Sequence, residues 1–262
     1  QNEAKKFYPK PFDFVDEDFI DNKILASEKK SSGENIDSWS IFKANNFIEV
    51  ESDYGSITQL KRFKNQLYCF QPDAISLIAV NDRSLISDDS GLQLALGTGG
   101  VLERYDYIST STGLQRPSAL IASKEALYYI DEYSKEFRVL AGPNSQDLSR
   151  IKGFYSKLNE LLPSNKITTG FDPKFNEIYL NFDNETWVYN EIIKSIVGKF
   201  STDSDNYFGL NGNLYSSKDS IIRLHNDPTS KLGDKSYITL LINPNGNIIN
   251  SFDNLDFRTE VS

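Results

Sequence analysis

The sequence predicts an all-β protein: a propeller-like stack of four-stranded blades, with a Gly-rich insert and one amphipathic helix. Three observations point there. A strand–turn–strand unit recurs four times, each copy marked by a Leu-Tyr or Ile-Tyr pair beginning at 67, 127, 178 or 214. The segments around these pairs are rich in Tyr and β-branched residues, which favour strands, and Asn211-Gly212 is a strong signal for a tight hairpin turn. A helical apolar stripe stands out in one stretch alone, 145–161. An irregular β-sandwich is the alternative arrangement of the same strands.

The chain has 262 residues, 39% of them hydrophobic and 25% charged. That composition excludes global disorder. The length suits one large or two modest domains and lets about three quarters of the unfolded surface be buried without metals or disulfides. Met is absent and Gln stands at position 1, so a section of a longer or processed polypeptide is expected.

Residues 1–40 read as an extended N-terminal arm or linker. Pro9 and Pro11 bracket an extended piece, and Phe7, Phe12, Phe14 and Phe19 are scattered among acidic residues as anchors for a neighbouring surface. Ser27 to Asp37 has loop composition. The β-rich body is expected over 41–236, opening with Ile41-Phe42 and Phe47 to Val50.

The four units follow. The first runs Ile57 to Leu60, turn Lys64-Asn65, Leu67-Tyr68, then Ile75 to Val80. The second runs Ala119 to Ala122, turn Lys124-Glu125, Leu127-Tyr128, then Phe137 to Leu140. The third runs Thr168 to Phe171, turn Lys174 to Asn176, Ile178-Tyr179, then Thr186 to Tyr189. The fourth runs Tyr207 to Leu210, turn Asn211-Gly212, Leu214-Tyr215, then Ile221 to Leu224. The pairs are spaced by 60, 51 and 36 residues. The shortest spacing approaches one bare propeller blade of about 40–50 residues. One such unit cannot cover both faces of its own sheet, whereas stacked units can.

Inserts are expected at 82–116 and 143–166. The first is Gly-rich, with Leu92 to Leu96 as a strand. The second carries the helix, with Ser145 as N-cap, a stripe of Leu148, Ile151, Tyr155, Leu158 and Leu161, and Pro163 as its stop. Residues 237–262 read as a C-terminal β segment, from Tyr237–Ile242 to the alternating Phe257 to Val261, continuing into the rest of a longer protein or a neighbouring subunit.

Chemistry-bearing patterns are sparse. The net charge of −9 disfavours a conventional grip on nucleic acid and suits a surface that DNA slides past. Cys69 is the only cysteine, which excludes an internal disulfide, and it sits in an apolar run as an inert buried thiol. No apolar run reaches the roughly 18 residues of a membrane span. Gly97 to Gly100 lacks the Lys-Ser/Thr of a phosphate loop and reads as turn glycines. His225, the single histidine, reads as a strand-end residue. Asp88, Asp89, Asp203, Asp205 and Asp219 are carboxylates from which a glycosidase pair could in principle be drawn, and Asp203-Ser204-Asp205 lacks the loop spacing of a calcium site. No catalytic, cofactor-binding or metal-binding residue is assigned.

Several stretches carry a resemblance. Ile78 to Ile86, Asp88 to Gly91, Leu96 to Leu102 and Tyr105 to Gly113 together resemble a segment of tail proteins from crAss-like gut bacteriophages. Ala126 to Asp131 with Lys135 to Leu140 is similar to the blade that follows it there, and Ser251 to Phe257 to the segment after the last blade. The resemblance spans roughly residues 57–262. It implies a non-enzymatic nozzle or muzzle component of a podovirus-type tail, with no cofactor. It further implies a ring of copies, six expected, touching other tail proteins around a channel through which DNA passes without specific binding. The virion is the implied location, with the host cytoplasm during assembly. The alternative is a glycan-binding or glycoside-cleaving propeller on the tail.

Overall fold

The computed structural model describes residues 20–27, 40–80, 84–87, 93–96, 101–151, 153–183, 185–200, 204–219 and 221–224, all within one compact unit, Gln1–His225. The N-terminal arm before 20, the Gly97 to Gly100 turn, Asp88, Asp89, Asp203, His225 and the 237–262 segment lie outside the described residues.

The protein is all-β, 56% strand and 10% helix. It is built mainly from successive antiparallel meanders in propeller-like or sandwich-like order, and no sheet of the described residues closes into a barrel. The first sheet joins β3 (Gln59–Phe63), β4 (Gln66–Phe70), β5 (Ile75–Val80) and β8 (Leu102–Ser109). The second joins β9 (Leu120–Ala122), β10 (Leu127–Asp131), β11 (Glu136–Ala141) and β12 (Asn144–Asp147). The third joins β13 (Ile167–Asp172), β14 (Glu177–Phe182), β15 (Glu185–Asn190) and β16 (Ser195–Phe200). The fourth has three described strands, β17 (Asn206–Leu210), β18 (Asn213–Lys218) and β19 (Ile221–Leu224). Two smaller pairs accompany them: β1 (Lys23–Ser27) with β2 (Phe42–Glu49), and β6 (Ser84–Ser87) with β7 (Gln93–Leu96).

Each of the four units read from the sequence is a sheet. The turns are where the turn residues stand: Lys64 and Asn65 have φ of 45° and 63°, Asn211 and Gly212 have 51° and 76°. Positive φ at both central positions is the hairpin geometry that matches strand twist. At the second sheet a serine does the work instead. Ser123 Oγ accepts hydrogen bonds from the backbone N–H of Glu125 and Ala126 at 3.0 and 3.1 Å.

Three elements differ from the sequence reading. The fourth strands β8 and β12 come from within the two stretches read as inserts, so 82–116 and 143–166 each complete a sheet. The N-terminal arm contributes β1, paired antiparallel with β2. The single helix expected from 145 is a strand followed by two short helices, α1 (Leu148–Ile151) and α2 (Tyr155–Leu161). Ser145 pairs in the ladder opposite Leu140. The cap is Asp147, whose Oδ1 accepts the N–H of Ser149 at 2.8 Å. Gly153, at φ 71°, interrupts the helical run between them.

The core follows from how the sheets stack. β10 is buried at every residue and β14 at all but Glu177, so the second and third sheets are covered on both faces. The main cluster runs from Tyr68, Phe70 and Ile75 of the first sheet through Leu127, Ile130, Phe137 and Leu140 to Ile178, Leu180 and Tyr189 of the third, with Leu158 of α2 joining it.

Candidate functional site

The Leu/Ile-Tyr pair has a structural meaning that its recurrence alone does not disclose. Adjacent strand residues point to opposite faces. The aliphatic member faces the preceding element, and in the first three sheets the tyrosine's face meets the following sheet. Tyr68 shares its face with Phe70, whose ring meets Tyr129 of the second sheet at 6.0 Å. Tyr128 meets Tyr189 of the third at 5.7 Å. Tyr179 stacks on Tyr207 of the fourth at 6.0 Å and 30°. Backwards, Leu67 packs with Cys69 and Ile78 against Ile24, Ile48 and Val50 of the N-terminal pair. Leu214 packs on Tyr179 and Val188. Each buried aromatic body contributes about 1.5–3 kcal/mol by area, and each ring pair adds about 0.5–1.5 kcal/mol.

The seams are also polar and specific. Thr169 Oγ1 donates to the Ser118 carbonyl at 3.0 Å, linking the third sheet to the entry of the second. Asn181, fully buried, donates to Thr168 Oγ1 and to the Ser204 carbonyl and accepts from Thr186 Oγ1, which ties the third sheet to the start of the fourth. Burial, aided by the nearby Glu191 carboxylate, pushes the Tyr128 phenol well above its ordinary range, so it stays protonated in the seam.

Several of the described carboxylates are engaged in hydrogen bonds and ion pairs within the fold. Asp131, 1% exposed, accepts from the N–H of Gly113, Tyr133 and Ser134 and from Gln115 Nε2. Glu136 bridges Arg138 and Arg150, and Arg150 also reaches Asp147 at 3.2 Å, which pins α1 to the second sheet. Asp205 takes Lys166 Nζ at 2.5 Å and the Asp219 N–H at 2.9 Å, and the Lys166 hydrogen bond lowers its pKa. The Lys199 hydrogen bond likewise lowers that of Glu185. Of the aspartates singled out in the sequence, Asp205 and Asp219 are brought together as this clamp; Ser204, beside Asp205, spends its carbonyl on Asn181. Among the described residues no group of three His, Cys, Asp or Glu side chains is placed to hold a metal. No helix of the described residues is long and apolar enough to cross a membrane. Cys69 is fully buried, and burial raises its thiol pKa to about 11.

Among the described residues, two sheet faces expose large apolar side chains. Phe208 and Leu210 of β17, with Ile222 and Leu224 of β19, are exposed on the forward face of the fourth sheet. Tyr215 lies between them, its ring stacked on Phe208 at 5.5 Å and 11°. At the other end of the series, Leu25 and Phe47, direct partners in the β1–β2 ladder, are exposed on the face turned away from the first sheet. Sequence reading missed both faces; the one available signal was the fourth tyrosine, in register with three that are covered.

Comparison with known proteins adds the family. A family model described as "Crassvirus muzzle protein" matches residues 1–220. The chain is 24% identical over 210 residues to the muzzle protein of Bacteroides phage crAss001, an alignment covering 77% of this chain and 15% of that protein. The chain thus spans a small part of that relative's length. Among solved structures, the AfRom2 CNH domain is similar at a TM-score of 0.41 and 10% identity, covering 78% of this chain and 59% of that one. Hsv2 of Kluyvelomyces marxianus is similar at 0.42 and 12%, covering 72% and 52%.

Proposed function

The chain belongs to the Crassvirus muzzle protein family, and from that premise we propose that it is a non-enzymatic structural component of a phage tail that forms part of a ring-shaped wall around the DNA exit channel. The match over residues 1–220 carries this reading. The stacked sheets support it physically. Sheets covered on both faces and locked by aromatic seams make a stiff wall, because interiors packed to crystal density deform little. The net charge of −9 supports a lumen that repels the phosphate backbone and so lets DNA pass without retention. In this reading other copies and other tail proteins are the partners, and the protein resides in the virion after assembly in the host cytoplasm.

Reconstruction of purified virions by electron cryomicroscopy tests it. The expected result is ring density on the tail axis into which the stacked sheets fit, with acidic side chains lining the lumen. A particle that lacks this polypeptide, or carries it away from the axis, refutes the reading. Incubation of the purified chain with host glycans is expected to release no sugar; hydrolysis abolished by a single carboxylate substitution would overturn the structural assignment.

A further inference from the structure

From the turns at one end of the third sheet we infer a membrane-contact site, in which the paired tips Lys174-Phe175 and Ile192-Ile193-Lys194 enter the interface of a bilayer that carries anionic headgroups. Such a contact goes beyond the wall reading and does not depend on it.

The two tips form one rigid object. Glu177 opposes Asn190 in the β14–β15 ladder, so the β13–β14 and β15–β16 turns lie side by side. Asn190 fastens them together. Its Nδ2 donates to the Phe175 carbonyl at 3.3 Å, and its Oδ1 accepts the N–H of Ile192 and of Ile193 at 2.9 and 3.1 Å. The Glu191 N–H donates to the Asn176 carbonyl at 2.9 Å. These bonds use backbone and Asn190, so turn geometry does not call for apolar side chains at 192 and 193. Yet Ile192, at 72%, is the most exposed large hydrophobic among the described residues, with Ile193 at 66% and Phe175 at 44%. Lys174 Nζ lies 5.1 Å from the Phe175 ring centre.

Charge says what covers these tips. Turns of the first three sheets meet at this end: Lys64 Nζ donates to the Glu125 carbonyl at 2.9 Å, and the Tyr128 phenol feels both the Glu125 and the Glu191 carboxylates. Lys64 is paired with Glu125, whereas Lys124, Lys174 and Lys194 stand exposed. The turns at the opposite end of the sheets carry Asp73, Glu132, Asp183 and Asp219. In a chain of net charge −9 the exposed lysines thus gather where the apolar tips protrude. An anionic surface attracts this end and repels the other, which fixes the approach. A hairpin tip is convex and falls short of the flat area of about 800 Å² per partner that a standard protein interface needs. A bilayer interface accepts a convex apolar tip, and lysines beside it reach the headgroups.

Flotation of the full chain with lipid vesicles tests this. One set of vesicles is phosphatidylcholine alone, and the other is one third phosphatidylglycerol. The wild type is expected to float with the anionic set and to be released by high salt. I192S/I193S and K174E/K194E are each expected to weaken binding by at least about tenfold, with Tm unchanged. L210S/I222S, which removes exposed apolar side chains from the fourth sheet instead, is expected to bind as the wild type does. A loss in that variant as large as in I192S/I193S overturns the assignment to the turns. So does a wild type that stays off both sets of vesicles, or floats equally with both. Soluble polyglutamate that binds the wild type but not K174E/K194E, with no vesicle binding, makes an acidic protein the occupant and overturns the lipid reading. A Tm several degrees lower in I192S/I193S overturns it too, because the tips would then be covered within the chain. Reconstruction of virions judges the wall reading separately.

Discussion

Gly170 is the sharpest test of the seam between the third and fourth sheets. It lies opposite Tyr179 in the β13–β14 ladder, and a Cβ there would sit 2.7 Å from Cγ and 2.8 Å from Cβ of Tyr207. Those atoms are the root of the tyrosine, so rotation of the ring cannot clear them. Relief requires the sheets to slide apart, which loosens Leu214 from Tyr179 and Val188. Overpacking of this kind costs about 1–3 kcal/mol. At about 2–4 °C per kcal/mol for a domain of this size, Gly170→Ala should lower Tm by roughly 2–12 °C. Urea unfolding should show a lower midpoint with an unchanged slope. The control is Gly198→Ala in β16, where a Cβ meets nothing within 4 Å. It should be neutral or stabilising by up to about 1 kcal/mol through the unfolded chain. If the two variants agree within about 0.5 kcal/mol, the sheets are not stacked at this distance and the seam argument fails.

Gly113→Ala should cost more, about 3 kcal/mol or above, because its Cβ would meet backbone, at 2.2 Å from the Gln71 carbonyl oxygen; calorimetry reads it. Leu214→Ala should lose about 2–5 kcal/mol, whereas Leu210→Ala, on the exposed face of the same sheet, should stay within about 0.5 kcal/mol in dilute solution. Equal losses at the two positions would contradict the assignment of faces. Burial raises the Cys69 thiol from 9.0 in the unfolded chain to about 11. Its contribution is thus fully present below pH 9 and is lost as the pH rises to 11, a difference of about 2–3 kcal/mol. Cys69→Ala should flatten that part of the stability–pH curve, and a parallel curve would refute the burial argument. Glu136→Gln, which leaves Arg138 without its carboxylate and Arg150 with Asp147 alone, should cost about 1–3 kcal/mol by urea unfolding.

Legibility tracked how local the cause was. The Lys64-Asn65 and Asn211-Gly212 turns were readable because positive φ depends on the residue itself. Strands with apolar alternation, such as β15 through Trp187-Val188-Tyr189, were readable for the same reason. β12 was not. Asn144-Ser145-Gln146-Asp147 is polar throughout and is a strand because β11 pairs with it. The stripe from Leu148 to Leu161 does not make one helix because Gly153, at φ 71°, breaks the backbone between Ile151 and Tyr155. Among the acids, spacing could not show that Asp205 and Asp219 meet, because their contact crosses a hairpin.

The residues by themselves determined four repeating units, their hairpin turns and the aliphatic–tyrosine signature, since propensity, turn geometry and two-residue alternation act within a few positions of the chain. The tertiary structure decided which way each signature faces, which carboxylates are spent on ion pairs, and that the fourth tyrosine stands with no described sheet before it. Those properties depend on which surface arrives opposite, and contacts between sheets join residues tens of positions apart.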